Sequence, residues 1–273
     1  MNQAISQDKI QESCKPSVIG IFEQILALAE EEHIPVIGFG PAVKMANELL
    51  GHRPADLLPG AQSLVCFGLP VPKDVYQMLD YGVETIWRSQ NLYYRRLDTL
   101  SVRIAALLEE SGEHAVPVFG CMPLGMNAKG EVIGYLNQIR MGEVTGIGVI
   151  GKNGLLLHSR YAPRLMLGGV VTSAAFPEMR TPALDQQGCP PGCQICVDAC
   201  PVHAISLEQK RVNVMRCLAY TARTPLMPKA RFLYLRAFRP RSAARLMNLT
   251  AFDEHTFHVC SRCVALCPYG EGN

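Results

Sequence analysis

Two rhythms of apolar residues alternate along the first two thirds of the chain, and the alternation points to the architecture. Ile21, Ile25, Leu28 and Ala29 recur at helical spacing behind Ser17, which is placed to cap that helix. Residues 34–39 then read as a short buried strand, and 42–50 as a helix stopped at Gly51. A turn-rich connection from Arg53-Pro54 to Pro59-Gly60 leads into a strand at 63–69. Residues 93–110 predict a helix with Leu97, Leu100, Ile104, Leu107 and Leu108 on one side. A strand at 115–119 follows the break at Gly112, and 154–157 and 165–172 are two further strand-like segments. Strands alternating with helices predict a three-layer α/β core. A stretch rich in Pro, Gly and Gln at 177–188 marks a boundary, dividing the chain into 1–185 and 186–273.

Beyond that boundary the periodicity gives way to cysteines. Eight of the eleven cysteines lie between Cys189 and Cys267, in two runs that each end in Cys-Pro. The first is Cys189-x3-Cys193-x2-Cys196-x3-Cys200-Pro201; the second is Cys217, then Cys260-x2-Cys263-x3-Cys267-Pro268. Eight thiolates divide into two sets of four, the requirement of two [4Fe-4S] clusters. In the bacterial two-cluster ferredoxin run the fourth cysteine ligates the other cluster. On that pattern Cys189, Cys193, Cys196 and Cys267 hold one cluster, and Cys200, Cys217, Cys260 and Cys263 hold the other. Zinc also accepts paired C-x2-C units, but it does not explain the triple C-x2-C-x3-C-P appearing twice. Pro190, Pro191 and Gly192 fill the one gap that is longer than usual.

Composition narrows the remaining classes. A chain of 273 residues, 48% apolar and 18% charged, buries one good core plus a small appended module. The formal charge of +2 argues neither for nor against a polyanionic partner. The first twenty residues carry Asp8, Lys9, Glu12 and Lys15 with no apolar stretch, and no run approaches a membrane span. A cytoplasmic protein is expected, where disulfides are disfavoured and clusters are assembled. Of the three cysteines outside the runs (Cys14, Cys66 and Cys121), Cys66 lies in an apolar segment and reads as a small core residue.

A second informative stretch is Gly146-Ile147-Gly148-Val149-Ile150-Gly151-Lys152-Asn153-Gly154. Four glycines in nine residues let backbone pass close to a large ligand or adopt positive φ. A dinucleotide fingerprint needs a following helix and an acid about twenty residues on. Here Leu155 to Leu157 follow instead, and no acid appears before Glu178. A plain hairpin or turn is the alternative reading.

That stretch, with Val144-Thr145 before it and Leu155-Leu156-Leu157, Tyr161-Ala162-Pro163 and Leu167-Gly168-Gly169-Val170-Val171-Thr172 after it, resembles the cobalamin-binding core of epoxyqueuosine reductases and reductive dehalogenases. Arg53-Pro54-Ala55-Asp56-Leu57-Leu58-Pro59-Gly60 and Arg216-Cys217-Leu218-Ala219-Tyr220 resemble segments of the epoxyqueuosine reductases. The resemblance implies a nitroreductase-like α/β (α+β three-layer) fold holding base-off cobalamin, with a ferredoxin-like module of two [4Fe-4S] clusters beside it. The clusters would reduce the cobalt stepwise to cob(I)alamin. By position, Gly146, Gly148, Val149, Gly151, Lys152 and Asn153 would line the corrin, with Lys152 neutralising one of its side chains or the phosphate.

The chain also departs from that family. An aspartate three residues before a proline is the family's proton donor; here His114 stands at that spacing before Pro117, and Tyr161 is an alternative acid. The stretch 121–138 is extra and would reshape the pocket. The family member acting on tRNA carries a C-terminal extension of helical repeats that the sequence to Asn273 does not include. Residues 223–245 hold Arg223, Lys229, Arg231, Arg236, Arg239, Arg241 and Arg245, no acid, and Phe232, Tyr234 and Phe238 among them. Such a patch suits an acidic electron donor (a ferredoxin or flavodoxin) or a solvated helical face ahead of tRNA. The expected activity is a cobalamin-dependent iron–sulfur reductase acting on a small molecule or modified nucleoside. The alternatives are a non-catalytic protein that reduces a corrinoid, or a variant of the fold that binds flavin (FMN).

Overall fold

The protein is described by a computed structural model at residues 16–78, 83–120, 124–126, 132–179, 188–207, 211–223, 230, 233–235, 237–239, 257–258 and 260–269. Helix α1 (Pro16–Glu31) precedes strand β1 (Val36–Pro41), and a short α2 (Pro54–Leu57) leads into β2 (Ser63–Pro70). Then come α3 (Lys73–Gln77), the long α4 (Val83–Glu110), β3 (Ala115–Val118) and a two-strand ladder of β4 (Leu124–Met126) with β5 (Val132–Gly134). Helix α5 (Gln138–Val144), a tight hairpin of β6 (Val149–Ile150) and β7 (Leu156–Leu157), and β8 (Leu165–Thr172) complete the core. Strands β1, β2, β8 and β3 form one sheet in that order, and every neighbouring pair is antiparallel.

Both faces of the sheet are covered, and this makes three layers. Strand β2 is buried along nearly its whole length, so it reads as a continuous apolar run with its side chains alternating between two cores. Val65 and Phe67 face α1 and α4, joining Ile21, Phe22, Ile25, Leu97, Leu100 and Ile104. Leu64 and Cys66 face the opposite side, where Met141, Val144, Ile147 and Leu156 cover them. Phe22, Phe39 and Phe176 close the first core, with Phe39 centred 4.7 Å from Phe22 and 5.2 Å from Phe176. Burying each such side chain stabilises the fold by roughly 1.5–3 kcal/mol. Cys66 is fully buried, and burial pushes its thiol up to about 12. It is a core residue, as its apolar neighbours suggested.

Two segments differ from the sequence expectation. Residues 42–50 do not make a helix: only a 3-10 turn forms at Ala42–Met45, and Leu49 and Leu50 stand exposed. Ala42 and Met45 are the residues of that segment that reach the core, too few to hold a longer amphipathic helix. The helix expected at 93–110 begins at Val83 instead, because Ile86 extends its buried stripe toward the N-terminus.

After the core the chain holds short elements: α6 (Ile195–Asp198), the ladder of β9 (Ile205–Ser206) with β10 (Arg211–Val212), and α7 (Val214–Thr221). Strand β11 (Ala222–Arg223) pairs with β12 (Phe257–His258), and α8 (Arg262–Ala265) follows. Val264 and Ala265 of α8 pack against the larger core, and Gln77 of α3 donates to the Ala265 carbonyl at 3.5 Å. The cysteine-bearing part is thereby fixed to the end of the sheet where β2 finishes and β8 begins. The expected boundary at 177–188 and the basic segment at 223–245 lie largely outside the described residues, as do Cys14 and Cys121. Among the described residues no helix is long and apolar enough to cross a membrane.

Candidate functional site

The two cysteine runs fold alike. Gln194 (φ −130°, ψ 7°) enters α6 and Ser261 (φ −133°, ψ 18°) enters α8, so each C-x2-C-x3-C unit is wound on one four-residue helix. These helices pack against each other, which carries the last cysteine of each run toward the first cysteines of the other. Burial first, then the thiols of Cys189, Cys267 and Cys193, raise the Cys196 thiol above its ordinary range. Burial, then Cys260 and Cys200, likewise raise Cys217. Cys263 is pushed up to about 12 by burial and by Cys217, Cys260, Cys196 and Cys200. The Cys196 thiol thus feels Cys189, Cys193 and Cys267, and the Cys263 thiol feels Cys200, Cys217 and Cys260. Cys196 and Cys263 link the two foursomes.

The donor set fits iron–sulfur cubes. A tetrahedral zinc would draw its sulfurs within about 3.8 Å of each other. Among the described residues no three Cys, His, Asp or Glu side chains are gathered closely enough to grip a metal ion. A cube, with iron at four corners, holds its thiolates farther apart than one zinc does, and two cubes would use all eight thiols. Ser261 supplies a second observation. Its hydroxyl, between Cys260 and Cys263, is buried with no hydrogen-bond partner. Such an orphan costs about 1–3 kcal/mol unless something accepts from it, and a cluster sulfur would. Backbone N–H groups already point at two thiols: Lys152 donates to Cys189 Sγ at 3.3 Å and Ala204 to Cys200 Sγ at 3.2 Å. Thr221, buried at the end of α7, accepts from the Cys260 N–H at 2.9 Å and fixes the start of the second run.

The glycine-rich stretch is the β6–β7 hairpin. Gly146 ends α5 at φ +77°. A Cβ on Gly148 would lie 2.5 Å from the Leu157 carbonyl oxygen, and one on Gly151 would lie 2.8 Å from the Leu157 side chain. The room these glycines create is taken by the hairpin's own second strand. Val149 is half-buried and Ile150 exposed. At the tip, Lys152 Nζ donates to the Cys193 carbonyl at 2.7 Å, and Asn153 Nδ2 donates to the Cys263 carbonyl at 3.4 Å. Neighbouring residues of one turn therefore hold the loops of both foursomes. Lys152 is bound to Cys189 and Cys193 through its backbone N–H and its side chain. Nothing in the sequence linked it to Cys189, 37 positions away.

The two expected proton donors lie in different parts of the fold. His114 is exposed just before β3, its carbonyl accepting from the N–H of Ser173 and the hydroxyl of Thr172. That is the far end of β8 from Arg164 and the cysteines, roughly 20 Å along the strand. Tyr161 is half-buried and stacked on His158 at 5.0 Å, with Arg160 over its ring at 5.4 Å. His158 Nδ1 accepts from the Arg160 and Tyr161 N–H groups, and burial, then the Arg160 charge, pull the histidine down to about 4. Beside this loop lies a cavity of about 150 Å³ lined by Lys73, Arg160, Arg164, Tyr76, Tyr269 and Cys267 among others, with no acid in its wall. Its lining carries three cationic side chains, Lys73, Arg160 and Arg164, next to Cys267.

No family model matches the chain. Curated epoxyqueuosine reductases do. The protein from Lactococcus garvieae is 30% identical over 142 residues, 51% of this chain and 33% of that one. The protein from Synechococcus sp. (strain RCC307) is 40% identical over 170 residues, 60% of this chain and 47% of that one. The chain thus spans a third to a half of the length of these relatives. Among solved structures, epoxyqueuosine reductase from Streptococcus thermophilus aligns over 93% of this chain and 67% of its own, with TM-score 0.55 and 20% identity. A reductive dehalogenase described with a B12-dependent dehalogenation mechanism aligns over 84% of this chain and 35% of its own, with TM-score 0.55 and 15% identity. By sequence the chain is a divergent relative of the epoxyqueuosine reductases, built on the fold that they share with reductive dehalogenases.

Proposed function

We propose that the chain is an iron–sulfur oxidoreductase in which two [4Fe-4S] clusters pass electrons, one at a time, to a cobalamin. The reduction it drives would act on a small molecule or a modified nucleoside. The observation that carries this reading is the hairpin tip, where Lys152 and Asn153 tie the α/β core to both foursomes of thiols. The names of the relatives point the same way. Cobalamin, when bound, supplies a metal that takes up electrons and delivers them to an organic electrophile.

Several of this chain's residues have work to do around that cofactor. The 150 Å³ cavity at Cys267 is too small for a tetrapyrrole. The residues that would hold a corrin are Val149 and the exposed Ile150 together with the hairpin residues Gly146, Gly148, Gly151, Lys152 and Asn153. The packed helices α6 and α8 would keep the two clusters adjacent. The alternative is a protein that delivers electrons to a corrinoid without protonating a substrate. A solved epoxyqueuosine reductase holds a tRNA stem loop, but at 18% identity that likeness bears on the fold alone.

Anaerobic purification tests the reading. Expected are about eight irons per chain and an absorption change on adding cob(II)alamin that FMN does not produce. Turnover of epoxyqueuosine or an aryl halide with reduced methyl viologen then separates the reductase from the electron carrier. Little iron, or indifference to corrinoids, refutes the proposal.

A further inference from the structure

We propose that Lys152 is a positioning residue that raises the reduction potential of the cluster carried by Cys189, Cys193, Cys196 and Cys267, an inference resting on the two-cluster reading above. Two atoms of this one residue act on the same foursome. Its backbone N–H points at the Cys189 sulfur at 3.3 Å, and its ammonium is fixed on the Cys193 carbonyl at 2.7 Å. The side chain is half-buried, so its charge is screened less than that of a free surface lysine. Adding an electron to a cluster adds negative charge, and a fixed cation and an N–H···S bond both favour the reduced form. Asn153, the next residue, offers the other foursome only a neutral amide, to the Cys263 carbonyl at 3.4 Å.

The hairpin tip therefore treats the two clusters unequally. One electron leaves the cluster of Cys200, Cys217, Cys260 and Cys263, which is oxidised by one, and enters the cluster beside Lys152, which is reduced by one. No bond forms or breaks. The bias draws electrons toward the cluster whose Cys189 sulfur and Cys193 carbonyl Lys152 touches.

The test is an EPR-monitored redox titration of the holoprotein carrying Lys152→Met, Lys152→Gln or Lys152→Arg, with iron measured for each. Lys152→Gln keeps a donor for the Cys193 carbonyl but removes the charge; Lys152→Arg keeps the charge. In the Met and Gln variants the reduction equilibrium of one couple, the one altered by Cys189→Ser, is expected to fall about tenfold. That corresponds to ~59 mV for one electron. The other couple stays in place, and Lys152→Arg moves neither by more than about twofold. Unchanged midpoints in the Met and Gln variants overturn the proposal, as do equal shifts of both couples. Failure of all three variants to retain iron marks a purely structural lysine and overturns it too. A wild-type protein without two clusters defeats the two-cluster reading itself, and this inference with it.

Discussion

Replacing Gly148 by alanine tests whether the glycine ribbon serves the fold before it serves a ligand. The added Cβ would meet the Leu157 carbonyl oxygen at 2.5 Å, the Leu156 Cγ at 2.9 Å and the Leu157 carbonyl carbon at 3.0 Å. An ordinary carbon–oxygen contact is about 3.3 Å, so β6 and β7 must part by several tenths of an ångström. Overpacking of this kind costs about 1–3 kcal/mol, and a lost ladder hydrogen bond adds about 1 kcal/mol. The total, about 2–4 kcal/mol, is a large share of a typical stability of 5–15 kcal/mol. Urea unfolding of anaerobic holoprotein at matched iron content would show it as a midpoint lowered by about 1 M or more. The nearest atom belongs to the backbone, so adding Leu156→Ala should recover little of the loss in a double-mutant cycle. A destabilisation below about 0.5 kcal/mol, or full rescue by Leu156→Ala, would show that the hairpin is not closed as described.

Three further outcomes are expected. Cys200→Ser should abolish the EPR signal of the cluster shared with Cys217, Cys260 and Cys263 and spare the signal of its own run; the reverse pattern refutes crossed ligation. Ser261→Ala should leave iron content intact while making one midpoint more negative, because it removes a hydroxyl donor from a cluster sulfur; an unmoved midpoint means the hydroxyl serves no cluster. His158 carries a pH prediction. Its folded value is held near 4 and its unfolded value is ordinary, about 6.5. The unfolded chain therefore binds more protons in that window, and stability is lost as pH falls from about 6.5 toward 4. His158→Gln should flatten that slope, and an equal slope in the variant would show that the Arg160–Tyr161 turn does not depend on a neutral ring.

Some of the site was legible in the residues alone because its chemistry is written locally. The C-x2-C-x3-C-P repeat puts three thiols on one short helical turn, so the count of thiols and their two runs follow from spacing. The alternation of 63–69 with 93–110 likewise reports a sheet under a helix, since a strand buried on both faces and an amphipathic helix have distinct periods. The failure at 42–50 has the opposite cause. Its apolar residues have helical spacing, but their burial depends on what lies opposite, and little lies opposite Leu49 and Leu50. The place of His114 was likewise not legible: its spacing from Pro117 is local, and only the antiparallel register with Thr172 puts it at the remote end of β8.

The amino-acid order by itself determined the two cysteine runs and the layered core, because each is specified over a few neighbouring positions; the glycine stretch left a ligand-binding ribbon and a plain hairpin both open. Which atoms the hairpin touches was decided only when the chain closed. Lys152 reaches Cys189 and Cys193, and Asn153 reaches Cys263, across 37 to 110 positions. Contacts of that range come from packing α8 against the core and α6 against α8, and no local pattern encodes them.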